Sequence, residues 1–256
     1  MELTDTHCHI HLDNYPIELE KVISSARSAG VSRLICVGTT LADSERALEV
    51  AAKHEGVWAS AGVHPHGVSG FAASPKEQAT LAEMLNKSSI SAIGEIGLDY
   101  YKNYAPKIEQ QKAFKLQIEM GLNRGLPFIF HIREAWDDFF AIFDAYPGLT
   151  GVVHSFSAHQ QQLDEALRRG LYIGLNGIMT FTNDNRQLAA AKTVPIDRLV
   201  LETDAPFLAP KPYRGQTCEP KHVLNVVEFL AWLRNEPVEA LAKATTSNAI
   251  RLFKLS

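Results

Sequence analysis

The chain of 256 residues is 46% hydrophobic and 21% charged, a usage that excludes a disordered or collagen-like protein. Its 25 Lys and Arg against 29 Asp and Glu leave a formal charge of −4, so no broad basic face advertises capture of nucleic acid, and any phosphate partner must be met locally. A length near 250 suits either two small domains or one (β/α)-type barrel.

Met1-Glu2-Leu3-Thr4-Asp5 carries neither a basic nor an apolar leader region. Cys8, Cys36 and Cys218 are odd in number and form no CxxC, which argues against a disulfide framework and for a reducing, cytoplasmic setting. Apolar runs such as residues 126–130 fall far short of the roughly 20 needed to span a bilayer, so no membrane association is expected, and no segment marks an obligate protein partner.

The first predicted strand covers residues 2–6. Pro16 is expected in the first turn of a helix bearing Leu19, Val22, Ile23 and Ala26, with Gly30 just past its end. After a second strand over 33–37, Asp43-Ser44 ahead of Ala47, Leu48 and Ala51, with Gly56 beyond, repeats that punctuation. A third strand spans 57–63. Ser74-Pro75-Lys76-Glu77 then reads as an N-cap, an N1 proline and a first-turn acid before Leu81, Met84 and Leu85. Further strands fall at 90–94, 127–132, 150–154, 171–175 and 199–202, and the final helices at 220–255. Eight βα units in 256 residues are one per 32. No linker, repeat or phosphate-binding glycine motif interrupts them. The expectation is one α/β domain over 1–256, a TIM (β/α)8-type barrel with its active site at the C-terminal strand ends.

Histidines and acids fall at those strand ends. His7 and His9 leave strand one, Glu95 follows strand four, His131 ends strand five, His154 strand six, and Asp204 follows strand eight. In extended backbone residues i and i+2 face the same way, so His7 and His9 point together while Cys8 points away. A single buried histidine most often just hydrogen-bonds in the core. Four at strand exits, with two carboxylates, point instead to metal ligation, and they exceed what one tetrahedral ion needs, so two divalent ions are expected.

The segments Thr4-Asp5-Thr6-His7-Cys8-His9, Gly62-Val63-His64-Pro65-His66, Gly94-Glu95-Ile96-Gly97-Leu98-Asp99-Tyr100, His131-Ile132-Arg133, His154-Ser155-Phe156-Ser157 and Glu202-Thr203-Asp204-Ala205-Pro206 resemble the signatures of TatD-type metal-dependent hydrolases across essentially the whole chain. The resemblance implies a TIM barrel with metal-dependent DNase activity, often removing nucleotides from a 3′ end. It implies His7, His9, Glu95 and Asp204 as ligands of one ion and Glu95, His131 and His154 as ligands of the other, Glu95 bridging. Where the family commonly has Asn-Glu-Pro after strand eight, this chain reads Thr217-Cys218-Glu219-Pro220.

Imidazole and carboxylate ligands suit Zn, Mn or Co and, less comfortably, Mg. Such an ion brings the pKa of its water toward neutrality, and Asp204, with Glu95, is the catalytic candidate, orienting that water and accepting its proton. His64, His66, Arg133 and Arg214 are candidate substrate contacts, with Lys211 in the same proline-rich loop as Arg214; alternatively Arg133 pairs with Glu134 or Asp137 and the histidines bond backbone. Glu202 either holds a ligand histidine or forms a structural salt bridge, and Tyr100, Tyr101 and Tyr104 either stack on bases or pack. His11, His54, His159 and His222 have no strand-end argument. The activity expected is deoxyribonuclease, with DNA as substrate. Hydrolysis of a small ester, amide or acyl-linked substrate such as misacylated tRNA is the alternative, and a non-catalytic metal-bound scaffold a third.

Overall fold

The computed structural model describes residues 1–102, 104–122 and 124–255. Among them, strands and helices alternate as β1 (Leu3–Cys8), α1 (Leu19–Ser28), β2 (Val31–Val37), α2 (Leu41–Lys53), β3 (Val57–Ala61), α3 (Pro75–Met84), β4 (Ile90–Asp99), α4 (Lys107–Leu122), β5 (Phe128–Arg133), α5 (Trp136–Asp144), β6 (Gly151–Val153), α6 (Gln160–Arg168), β7 (Tyr172–Leu175), α7 (Asn185–Thr193), β8 (Leu199–Leu201), α8 (Val223–Arg234) and α9 (Val238–Phe253). Strand order follows chain order with parallel pairing, which is the (β/α)8 pattern of the TIM-barrel class. No helix among the described residues is long and apolar enough to cross a membrane.

Packing divides the chain into two compact units, Met1–Cys36 with His154–Ser256, and Val37–Val153. In the first, β1 is buried along its whole length and registers with β2 from Leu3 opposite Val31 to Cys8 opposite Cys36. The Asp5 carboxylate ties β1 to the residues after β8, accepting from Thr203 N at 2.9 Å and Thr203 Oγ1 at 2.6 Å. Burial pushes this carboxyl well above its usual range, against the pull of the Thr203 bonds. The three cysteines are buried free thiols.

In the second unit all ten residues of β4 are buried, as expected of a parallel strand covered on both faces. Phe114, Phe128, Phe130 and Phe139 are fully buried around it, with Phe130 and Phe139 in edge contact at 5.2 Å. Burial of each such ring contributes roughly 1.5–3 kcal/mol.

Several boundaries differ from the sequence expectation. β1 and β4 continue beyond their apolar runs, so His7 and Glu95 lie inside strands, β5 runs one residue further than expected to Arg133 with His131 inside it as expected, and β8 stops at Leu201 and leaves Glu202 outside it. Backbone pairing carries on where apolar side chains end: Gly97, Leu98 and Asp99 register with His131, Ile132 and Arg133. Thr40, not Asp43-Ser44, caps α2, accepting from Asp43 N, while the Asp43 carboxylate accepts from Thr39 N and Oγ1 at 2.8 Å each. Pro16 precedes α1 instead of entering its first turn. Ser74 caps α3 as expected, and Gly30 closes α1 at φ +88°.

Gly97 has φ +145°, and a Cβ there would lie 2.0 Å from the His131 carbonyl oxygen. A side chain would push β4 from β5 at the residues that carry Glu95 and His131. Gly97→Ala is expected to cost on the order of 2 kcal/mol or more, combining left-sided backbone strain with the clash. Urea unfolding beside the parent chain measures this, and an unchanged midpoint would contradict the close approach.

Candidate metal centre

In the first unit, β1 delivers His7 and His9 with the spacing expected, their Nε2 atoms 3.2 Å apart. Beyond β8 the chain turns at Asp204, which adopts φ +61°, a conformation that Asp tolerates better than most residues. Asp204 Oδ1 then lies 3.6 Å from His7 Nε2, 3.4 Å from His9 Nε2 and 3.7 Å from His154 Nε2. Most of these separations are long for hydrogen bonds. They match donors sharing one cation: at metal–ligand distances of about 2.0–2.1 Å, tetrahedral ligands sit about 3.3 Å from each other. The residues therefore fit a metal ion. Burial works to raise the Asp204 carboxyl, but the surrounding imidazoles of His9, His154 and His7 outweigh it and hold it below its ordinary value.

His154 follows β6, its ring stacked on that of His7 at 3.5 Å. Its Nδ1 lies 3.1 Å from Glu202 Oε2, which directs Nε2 toward Asp204. The other oxygen of Glu202 accepts from Ser155 N at 2.6 Å and Asn176 Nδ2 at 3.3 Å. Glu202 thus pairs with a histidine, where the sequence position left open either that or a structural salt bridge. Gly174 makes room for it: a Cβ there would lie 2.4 Å from Glu202 Oε2.

In the second unit, Glu95 Oε1 lies 2.6 Å from His131 Nδ1 and 3.5 Å from His64 Nε2. His131 Nε2 faces Asp99 Oδ2 at 3.1 Å, and His66 Nε2 reaches the same oxygen at 2.8 Å. The pairing of Glu95 with His131 has hydrogen-bond length, so this cluster could take a cation only by giving up the proton between them, the usual coupling of ligation to deprotonation. Burial works against ionised Asp99, but bonds from His131, Lys102 N and His66 prevail and hold its carboxyl well below the usual range.

His64 Nδ1 accepts from His66 N at 3.1 Å, so the neutral ring carries its proton on Nε2. Burial pushes its pKa down to about 3, with His131 and His66 adding to the push and Glu95 opposing it. His64 is therefore a neutral donor at pH 7. A group whose folded pKa lies below its ordinary 6.5 binds fewer protons folded than unfolded, so stability rises with pH between about 3 and 6.5. The metal-free protein is expected to lose stability from pH 7 to 5, and His64→Gln to shallow that slope. Equal slopes in thermal melts would contradict the assignment.

Of the remaining candidates, Arg133 places its guanidinium 4.0 Å over the Tyr101 ring. Arg214 lies 3.7 Å over Phe181 and donates to Ala209 O. His222 accepts from Glu219 N and stacks on Tyr213, His159 pairs with Asp184, and His11 is buried with its ring 6.0 Å from that of His9. Sequence reasoning assigned no role to Asp5 or Asp99. The signal was alternation: Asp5 with His7, and Asp99 with Glu95, share strand faces.

The family described as TatD related DNase matches residues 4–254. A Bacillus subtilis protein named an uncharacterized metal-dependent hydrolase, YabD, is 34% identical, the match covering 99% of this chain and 100% of that protein. A Cronobacter sakazakii protein named 3'-5' ssDNA/RNA exonuclease TatD is 35% identical, with 97% of each covered. The crystal structure of YJJV, a TatD homolog from Escherichia coli, superimposes with a TM-score of 0.92 at 28% identity, covering 99% of this chain and 98% of that one. Fold and donor set define a metal-dependent hydrolase on a TIM-type (β/α)8 barrel. The chain belongs to the TatD-related DNase family.

Proposed function

We propose that the chain is a 3′-exonuclease-like deoxyribonuclease that cleaves phosphodiester bonds with two divalent ions, its two units acting as one domain. The observation that carries the reading is the convergence of three imidazole Nε2 atoms on Asp204 Oδ1 at 3.4–3.7 Å. Membership of a family with relatives named as exonucleases supports the substrate class.

His7, His9 and Asp204 would hold one ion and His131 and His154 the other, with Glu95 shared, as the motif resemblance implies. Bound there, divalent ions supply Lewis acidity toward phosphate oxygens and a more acidic water. Asp204 orients the attacking water through its carboxylate and takes its proton. Glu202, braced by Ser155 N and Asn176, fixes the ring of His154. His64 offers its Nε2–H to a phosphate oxygen without carrying charge. Arg133 and His66 face the substrate from beside the second cluster, and Arg214 from the loop after β8.

The test is incubation with end-labelled single- and double-stranded DNA, RNA, and small ester and amide substrates under Zn, Mn, Co and Mg. Shortening of single-stranded DNA from its 3′ end, abolished by a chelator and restored by metal, is expected. Turnover of an ester or amide with every oligonucleotide left intact would overturn the reading in favour of a small-substrate hydrolase.

A further inference from the structure

We propose that Tyr101 and Tyr104 form a stacking platform for the unpaired bases of single-stranded nucleic acid, a specificity element that rests on the nuclease reading above. The loop after β4 carries three tyrosines with different fates. Tyr100 is committed to structure: its hydroxyl donates to Asp138 Oδ2 at 2.7 Å and the Lys107 ammonium lies 4.1 Å over its ring. Tyr101 and Tyr104 are 54% and 65% exposed. Two large rings on one short loop thus leave more than half of their surface in water, packing only against Arg133 and His66.

Hydrogen bonds anchor the backbone at Tyr101 and Lys102 and at both ends of the loop. Asp99 Oδ1 accepts from Tyr101 N at 3.0 Å and Lys102 N at 2.9 Å. Buried Gln110 bonds both ends of the loop, accepting from Asp99 N and donating to Asp99 O and Ala105 O. Such anchoring lowers the entropy lost when a flat ligand settles on the rings.

Contacts also connect the rings to the chemistry. Tyr104 meets the His66 ring at 4.8 Å, His66 bonds Asp99, and Asp99 bonds His131, the partner of Glu95. Tyr101 carries Arg133 on one face, with Lys102 Nζ 5.8 Å from its centroid. Exposed aromatic faces interleaved with cations are what a single strand requires, since bases stack while phosphates meet positive charge. Every base has a π-face, so the platform tolerates any sequence, and paired bases, stacked within a duplex, do not reach it. It supplies locally the affinity that a net charge of −4 denies to the whole surface.

The experiment compares kcat/KM on a single-stranded DNA oligomer with that on the same oligomer carrying abasic residues at its 3′ end. The parent chain and the Tyr101→Ala/Tyr104→Ala variant are assayed, with thermal melts to confirm folding. The parent is expected to prefer the base-bearing oligomer about tenfold or more, and the variant to bring that ratio close to one. Tyr101→Phe/Tyr104→Phe, which keeps the rings, should restore it. A variant that slows equally on both oligomers and keeps the ratio would overturn the platform, as would a parent indifferent to the missing bases. In either case the nuclease reading survives. If the parent cleaves no oligonucleotide under any metal, that reading fails and the platform with it.

Discussion

Asp204→Asn is expected to lower turnover at least about a hundredfold at saturating metal. The amide keeps the shape of the carboxylate but neither its charge nor its basicity. Loss of a positioned general base alone typically costs about 10²- to 10⁴-fold. Asp204 Oδ1 also stands among His7, His9 and His154, so the neutral amide would weaken the donor set as well. Metal titrations at each rate measurement separate the two contributions: a deficit that persists at saturation belongs to proton transfer, and one that metal removes belongs to ligation. Near-normal turnover would refute the role of Asp204 as proton acceptor.

Glu95→Gln is expected to reduce bound metal from two ions per chain to one, and to lower turnover by more than the about 10- to 100-fold that loss of an outer hydrogen-bond partner usually costs. Glu95 is buried on β4 with His131 Nδ1 at 2.6 Å, and glutamine still reaches that nitrogen, so packing is preserved while the negative charge that two cations would share is lost. Metal analysis of the purified variant by mass spectrometry, beside its rate on single-stranded DNA, is the measurement. Two ions retained with normal rates would show that Glu95 bridges nothing.

Much of the candidate site was legible because barrel chemistry sits at strand ends, and strand ends are marked in sequence by the change from apolar to polar residues. That change singled out His7, His9, Glu95, His131, His154 and Asp204 as candidates. The same cue misplaced the boundaries. Polar residues such as Glu95 continue to pair through their backbone, and pairing depends on a neighbouring strand that no local window contains. Glu202 and Asp5 illustrate the limit. Their carboxylates find Ser155, Asn176 and His154 in one case and Thr203 in the other, across 26 or more residues of chain, and only the folding of the first unit decides those partners.

Local pattern along the chain marked the class of fold, through eight recurring βα units, and the kinds of side chain offered at each strand end. Tertiary structure alone decided which atoms meet. It set the tautomer of His64 through the His66 amide and assigned Glu202 to His154. It also opened space at Gly97 and Gly174 for close approach. The reason is physical. Apolar periodicity is a local property of the chain, whereas hydrogen-bond direction, clearance and the balance of burial against charge depend on groups that folding alone brings within a few ångströms.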